Sequence, residues 1–285
     1  MATLRIIRRR ITSVKGTQKV TRAMRMVAAA KLRRAQERIL KARPYARKLA
    51  QVLSHVASLV DRNKHPLLAE QPIKKVGLVV VTADRGLCGG FNTNIVRKAL
   101  DTLHTYQDLE CGIITVGRKG RDQFRRQEYH FFGEYVNFYR DLDFSNALQI
   151  ASTITQLYLE HAIDRVDVIY NEFKNAVQQN ITVEQLLPIK AEKVVDTRSH
   201  VDFIYEPDID SILETIIPLH LNIQIWRILL ESNAAEQGAR MTAMEAATDN
   251  AGEMIDRLTM LYNRTRQQNI TRELSEIVGG AEALK

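Results

Sequence analysis

The residues best suited to chemistry lie in one stretch, Thr82-Ala-Asp-Arg-Gly-Leu-Cys-Gly-Gly-Phe-Asn92, between an apolar β-branched run and a helical pattern. A glycine-rich strand-to-helix turn is where α/β proteins seat phosphates on backbone N–H groups. The spacing here is neither G-x-G-x-x-G nor a P-loop closing on Gly-Lys-Ser/Thr. A tight turn with a capped helix, Asn92 or Thr93 as N-cap, is the simpler reading. An exposed subunit-contact loop formed by Asp84, Arg85, Gly86 and Cys88 is another. Cys88 could serve as a nucleophile, with Asp84 and Arg85 close by to lower its pKa, but no histidine accompanies it. The seven histidines (His55, His65, His104, His130, His161, His200, His220) are scattered, with no pair at metal-ligand spacing. No G-x-S-x-G motif or carboxylate constellation occurs. The sequence therefore predicts no catalytic residue, no metal and no cofactor.

What positions that loop is a small α/β domain, expected over residues 73–190. Val76–Ala83, Cys111–Gly117 and Val166–Phe173 are β-branched runs, and Ile181–Ile189 reads as a fourth strand. Helical patterns intervene at Asn92–Tyr106, Lys119–Arg126 and Ser145–His161. Strands of buried type alternating with helices predict a largely parallel, Rossmann-like sheet.

The flanks differ. Ala28, Leu32, Ala35, Ile39, Ala42, Ala46, Leu49, Leu53, Val56 and Val60 keep an unbroken heptad spacing. Leu4, Ile7, Ile11 and Val14 repeat it upstream, joined through an expected phase slip near Gln18–Met24. That predicts an N-terminal helix over residues 1–60, about 85 Å long at ~1.5 Å per residue, kinked or broken at Pro44. A second pattern runs Ile209, Ile212, Ile216, Leu219, Ile223, Trp226, Leu230, slips once at Ala234, and resumes from Gln237 through Met241, Met244, Thr248, Ala251, Ile255, Leu258 and Tyr262 to Thr265. Asp208 and Asp210 favour its N-terminus, and Gly279-Gly280 is its expected stop. Helices this long with one apolar stripe are unstable alone. The fold class expected is α+β: a long antiparallel coiled coil of the terminal helices (1–60 and 208–285) plus the α/β domain, with 191–207 as linker. Small seam residues predict a slim rod.

Charge is uneven. Of the net +8, residues 1–50 hold 16 Lys or Arg against one acid, Glu37, a local +15, so the remaining chain is acidic. Such a strip needs ample solvent or a polyanionic partner, for which nucleic acid, a membrane surface or an acidic protein would serve. A basic, Ser/Thr-containing start also fits a mitochondrial targeting segment, but the apolar register runs through it into the folded part. A nucleic-acid reader of basic-zipper type keeps its basic region and zipper consecutive. Here Lys31, Arg33, Arg34, Arg38, Lys41, Arg43 and Lys48 interleave with the seam, so no nucleic acid is expected. Apolar content of 45% and charge of 26% are those of a folded chain, and no apolar run approaches the ~20 residues of a membrane span. Cys88 and Cys111 are too few for a disulfide framework.

Four segments carry a family resemblance: Ser13-Val-Lys-Gly-Thr-Gln-Lys-Val-Thr-Arg-Ala-Met-Arg-Met-Val-Ala-Ala-Ala-Lys-Leu32, Asp84–Asn92, Ala239-Arg-Met-Thr-Ala-Met-Glu-Ala-Ala-Thr-Asp-Asn250, and Tyr262-Asn-Arg-Thr-Arg-Gln-Gln-Asn-Ile-Thr-Arg-Glu-Leu274. They occur in order over the whole chain and resemble the gamma subunit of F-type ATP synthase, bacterial type. The resemblance implies a rotor shaft, one copy per complex, inserted in a hexamer of alternating alpha and beta subunits. It implies an α/β domain near the epsilon subunit and the c-ring, membrane association through Fo only, and catalysis in the beta subunits alone. By motif, Arg22, Met24, Arg25, Lys31 and Arg240 are implied at the contact with acidic loops of beta, and Arg266, Gln267 and Thr271 at the upper shaft. Linker 191–207 is short and lacks cysteine, which excludes the thiol switch of chloroplast-type relatives. The family's mature start, Ala2-Thr-Leu, follows Met1 directly, so a peripheral protein on the cytoplasmic side of a bacterial inner membrane is expected.

Overall fold

The computed structural model describes residues 2–59, 65–176, 178–190 and 208–282. Val60 and the linker expected at 191–207 lie outside the described residues, as does the side chain of Asp210. The elements run α1 (Ala2–Leu59), β1 (Lys75–Val81), α2 (Phe91–Thr105), β2 (Glu110–Val116), α3 (Arg118–Arg125), β3 (Phe131–Tyr135), α4 (Phe144–Leu159), β4 (Arg165–Phe173), β5 (Gln179–Leu187) and α5 (Ile209–Glu282). The chain forms two compact units, Met1–Ala28 with Met241–Lys285, and Ala29–Arg240. These units cut through α1 and α5, each of which contributes to both.

In the unit of residues 29–240 the sheet order is β3-β2-β1-β4-β5. β1, β2, β3 and β4 are parallel, and β5 pairs antiparallel with β4. Val76–Val81 is buried throughout, as a strand covered on both faces requires. β3 is an addition to the four expected strands. It is a half-buried edge strand interrupted by Gly133, with a register shift against β2 at Ile113/Ile114, and it has no β-branched residue to mark it. α2 packs on β1, β4 and β5, and α3 on β2. On one face of the sheet Val79, Val81, Val116, Val168 and Leu186 meet Ile150 of α4 and Ile225, Ile228 and Leu229 of α5.

That last contact corrects the single stripe expected on α5. Leu213, Ile217, Leu221, Ile225, Ile228, Leu229 and Ala235 are buried as well as Ile223, Leu230 and Ala234. Between Leu221 and Ala239 the helix is buried on two faces, one towards α1 and one towards the sheet, with Glu231, Ser232, Glu236 and Gln237 buried among its apolar residues, so what reads as a slip at Ala234 is burial all round. α1 meets expectation here, with Leu32, Ala35, Ile39, Ala46, Leu53 and Val56 buried. Pro44 does not break it. Pro44 and Leu40 share an exposed side, where the Leu40 carbonyl deprived of its helical donor faces solvent. Nor does Gly279-Gly280 end α5, which continues to Glu282; neither glycine takes the positive φ that a glycine C-cap uses.

Polar groups fix α5 to the sheet edge. Arg227 donates through Nη2 to both carboxylate oxygens of Glu184 at 2.8 Å, and through Nη1 to the Tyr170 hydroxyl at 3.1 Å. Two helical turns before Arg227, burial, reinforced by Arg227 and partly offset by Glu184, pushes the His220 imidazole down to about 4. Its folded value lies below its unfolded 6.5, so its contribution is complete above pH 6.5 and is lost as pH falls towards 4. His220→Gln is expected to remove a pH-dependent loss on the order of 2–3 kcal/mol. Urea midpoints at pH 7.5 and pH 4.5 check this, and an equal acid drop in variant and parent would refute it.

Candidate functional site

In the unit of residues 1–28 and 241–285, α1 and α5 pair through a polar centre. The Thr21 and Thr248 hydroxyls lie 2.8 Å apart, and Gln18 Nε2 donates to the Thr248 carbonyl at 3.4 Å. Arg25 Nη1 meets Glu245 Oε1 at 2.7 Å. Rising numbers on one helix meet falling numbers on the other, so the pair is antiparallel. Ile7, Thr21 and Ala28 are buried, with Ile11, Val14 and Gln18 half-buried between them. The heptad is therefore continuous, and the phase slip expected near Gln18–Met24 does not occur. Gln18 and Thr21 are seam residues that apolar counting passes over. On α5, Met244 and Ala251 are buried and Thr248, Ile255, Leu258, Tyr262 and Thr265 half-buried, as expected.

The sequence-predicted contact residues fall in both units. Arg22 is exposed, Met24 half-buried and Arg25 engaged with Glu245; Arg266, Gln267 and Thr271 are all exposed. These six belong to the paired-helix unit. Lys31 (exposed) and Arg240 belong to the other, together with the loop. Arg240 turns inward: its side chain is 12% exposed, with Nη2 2.6 Å from Glu236 and 3.3 Å from the Gly86 carbonyl.

The loop after β1 is held by its own side chains. Asp84 Oδ1 accepts from the backbone N–H of Arg118 at 3.0 Å and of Asn137 at 2.8 Å. Asn92 is not the N-cap; Gly90 holds that place, without a side-chain cap. Asn92 Oδ1 instead accepts from Ala83 N–H at 2.9 Å, while its Nδ2 donates to Cys88 Sγ at 3.2 Å. Leu87 sits at φ 64° with its side chain exposed. Cys88 is 1% exposed, and burial pushes its thiol up despite the pull of Arg240, which argues against a nucleophile. Among the described residues no group of three or more His, Cys, Asp or Glu could hold a metal ion.

Ligands of open α/β sheets bind where strand order reverses, outside the carboxyl ends of the strands. Here that place lies between β1 and β4, and α5 fills it. Glu231 Oε2 accepts from Phe173 N–H at 3.2 Å, and its other oxygen meets Arg43 at 3.4 Å. Glu236 lies one turn further along, 4% exposed. Two buried carboxylates would repel a phosphate. Sequence reading missed both. The signal available was two acids flanking Ala234-Ala235 in the middle of a long, otherwise buried-type helix.

A family model described as ATP synthase matches residues 3–284. The ATP synthase gamma chain of Chloroherpeton thalassium is 50% identical, covering 100% of this chain and 99% of its own length. That of Chlorobaculum parvum is 48% identical over all of both chains. A solved chain from the central stalk and c-ring of the Tetrahymena thermophila mitochondrial ATP synthase superposes with TM-score 0.61 at 29% identity, over 80% of this chain and 99% of that one. One from the Euglena gracilis mitochondrial ATP synthase gives 0.71 at 21% identity, over 99% and 95%, and shares the fold. With heptads on both flanks, a sheet whose ligand crevice is filled by α5, and gamma chains matching end to end, the chain belongs to the ATP synthase gamma family, the central rotor shaft of that membrane-bound complex.

Proposed function

We propose that this chain is a non-catalytic drive shaft, one copy per complex, seated along the axis of a hexamer of alternating alpha and beta subunits. Its α/β part contacts the epsilon subunit and the c-ring, and the assembly lies peripherally on the cytoplasmic side of a bacterial inner membrane, held through Fo. Proton-driven rotation of the ring turns the shaft, whose uneven surface drives the beta subunits through their binding states. Arg22, Met24, Arg25 and Lys31 form the contact with the acidic base of beta, while Arg240, expected there by motif, faces inward, and Arg266, Gln267 and Thr271 form a second contact higher on the shaft. The loop of Asp84, Arg85 and Gly86, with Cys88 buried inside it, is a further subunit contact, with exposed Leu87 as its apolar tip.

The observation that carries this reading is the end of α5. With Thr21 opposite Thr248, the antiparallel register brings Ala2 opposite Gln267, so residues 268–282 continue as helix past the described residues of α1. Along that stretch Ile270, Leu274, Ile277 and Val278 are all exposed, at 48–68%, on one helical face by their spacing. An isolated helix of this length is marginal in water, and an apolar sleeve around the tip would supply what α1 does not. The outer basic residues suit the same role, because exposed ion pairs worth ~0–1 kcal/mol each can be made and released at every step.

Mixing the purified chain with matching alpha and beta subunits is expected to yield a complex with restored ATPase activity, in which a probe on this chain rotates when ATP is added. Failure to associate, with tight DNA binding instead, would overturn the reading.

A further inference from the structure

We propose that Glu236 and Arg240 form a buried clamp that fixes the position of the Asp84–Gly90 loop, making Arg240 a positioning residue for the surface that Leu87 presents. The idea rests on the loop's proposed role as a contact, but its test needs only the chain itself, so the two can fail separately.

The geometry is specific. Glu236 Oε1 and Arg240 Nη2 are 2.6 Å apart, with side chains 5% and 12% exposed, one turn apart on α5. From that anchored position the guanidinium reaches across to the Gly86 carbonyl, the residue before Leu87. Leu87 at φ 64° is followed by Gly89 at φ 57°. A non-glycine residue keeps such a backbone only where its surroundings over-determine it. Asp84 and Asn92 tie the two ends of the loop. Asn92 also reaches Cys88 Sγ within the loop, and Arg240 adds a tie from α5 at the Gly86 carbonyl.

Several groups face the carboxylate from neighbouring elements. Arg240 is on its own helix, Lys31 comes from α1, and Asp84 comes from the loop. The second oxygen of Glu236 is buried without a hydrogen-bond partner. Burial raises the Glu236 pKa, and Arg240 is the largest influence opposing it. The pair is therefore mutually supporting: Arg240 offsets the cost of burying the carboxylate, and the carboxylate holds the guanidinium beside the Gly86 carbonyl. A residue serving only shaft stability would not need to reach the Gly86 carbonyl.

Cys88 provides the readout, because it lies buried inside this loop while Cys111 is half-buried on β2. The full-length chain would be labelled with N-ethylmaleimide, and each cysteine followed separately by peptide mass spectrometry. Electrostatics and the clamp predict opposite signs. Arg240 pulls the Cys88 pKa down, so by charge alone Arg240→Ala makes the thiol less reactive. Loss of the clamp opens the loop and is expected to accelerate Cys88 labelling about tenfold, with Cys111 unchanged. Arg240→Lys, which keeps the charge without the fork, is expected to fall between parent and alanine variant, and Glu236→Gln to accelerate Cys88 in the same direction. Slower labelling of Cys88 in Arg240→Ala, or a rate within about twofold of the parent, would overturn the clamp. So would equal acceleration at both cysteines in Arg240→Ala and Arg240→Lys, which would report general unfolding.

Discussion

Gly117→Ala is expected to destabilise the α/β part of the chain by about 3–5 kcal/mol. Gly117 has φ 97°, in the region that favours glycine, and a Cβ there would run into the Thr82 carbonyl. Neither partner can retreat. Thr82 is fully buried; its N–H donates to Val116 O at 2.7 Å, and its hydroxyl accepts from Gly120 N–H at 2.8 Å. Gly117 N–H itself donates to Tyr135 O at 2.7 Å. The residue sits where β1, β2, β3 and the start of α3 converge, so relief at one bond breaks another. Urea unfolding followed by Trp226, the single tryptophan, measures the loss. Gly16→Ala is the control: it lies in α1 with nothing within 4 Å of an added Cβ, and is expected to stabilise by about 0.5–1 kcal/mol. Equal midpoints for Gly117→Ala and its parent would refute the argument.

Met24→Lys is expected to cut ATP-driven proton pumping severalfold relative to ATP hydrolysis in the assembled complex. Met24 is half-buried beside the Arg25–Glu245 pair, within an N-terminal segment already at +15. A rotor surface works by releasing each contact in turn. A lysine here adds a charge facing the acidic base of beta proposed above. Desolvated at an interface, such a pair can hold one rotary position by about 1–3 kcal/mol, slowing escape by roughly 5–150-fold. Met24→Leu keeps volume and charge and is expected to couple normally. Raising the salt concentration should partly relieve the lysine variant, since the added attraction is screened. A pumping-to-hydrolysis ratio equal to the parent's would rule out the idea.

The elements were legible in proportion to how repetitively their side chains are used. Ala28 through Val56 carry one apolar stripe for one partner helix, and period alone locates that helix and its buried face. β1 is buried on both sides, and its β-branched run says so. Where a segment serves two partners the pattern saturates. Leu221–Ala239 of α5 packs on α1 and on the sheet together, and a search for a single stripe reads the second face as a slip. Where the seam is polar the pattern fades instead, as at Gln18 and Thr21, whose hydrogen bonds to Thr248 do the work of apolar knobs.

Residue types and their order determined by themselves that two long terminal helices flank a parallel α/β unit, that the N-terminal strip is basic, and that the chain is of gamma type. These follow from local chemistry repeated many times, which tertiary contacts rarely overrule. Only the tertiary structure decided that α5 plugs the sheet's crevice with Glu231 and Glu236, that Asn92 ties the loop where a cap was expected, and that Arg240 points inward. Each of these depends on particular side-chain hydrogen bonds or ion pairs, such as Glu231 with Phe173 N–H or Arg240 with the Gly86 carbonyl, and no periodicity records a contact made once.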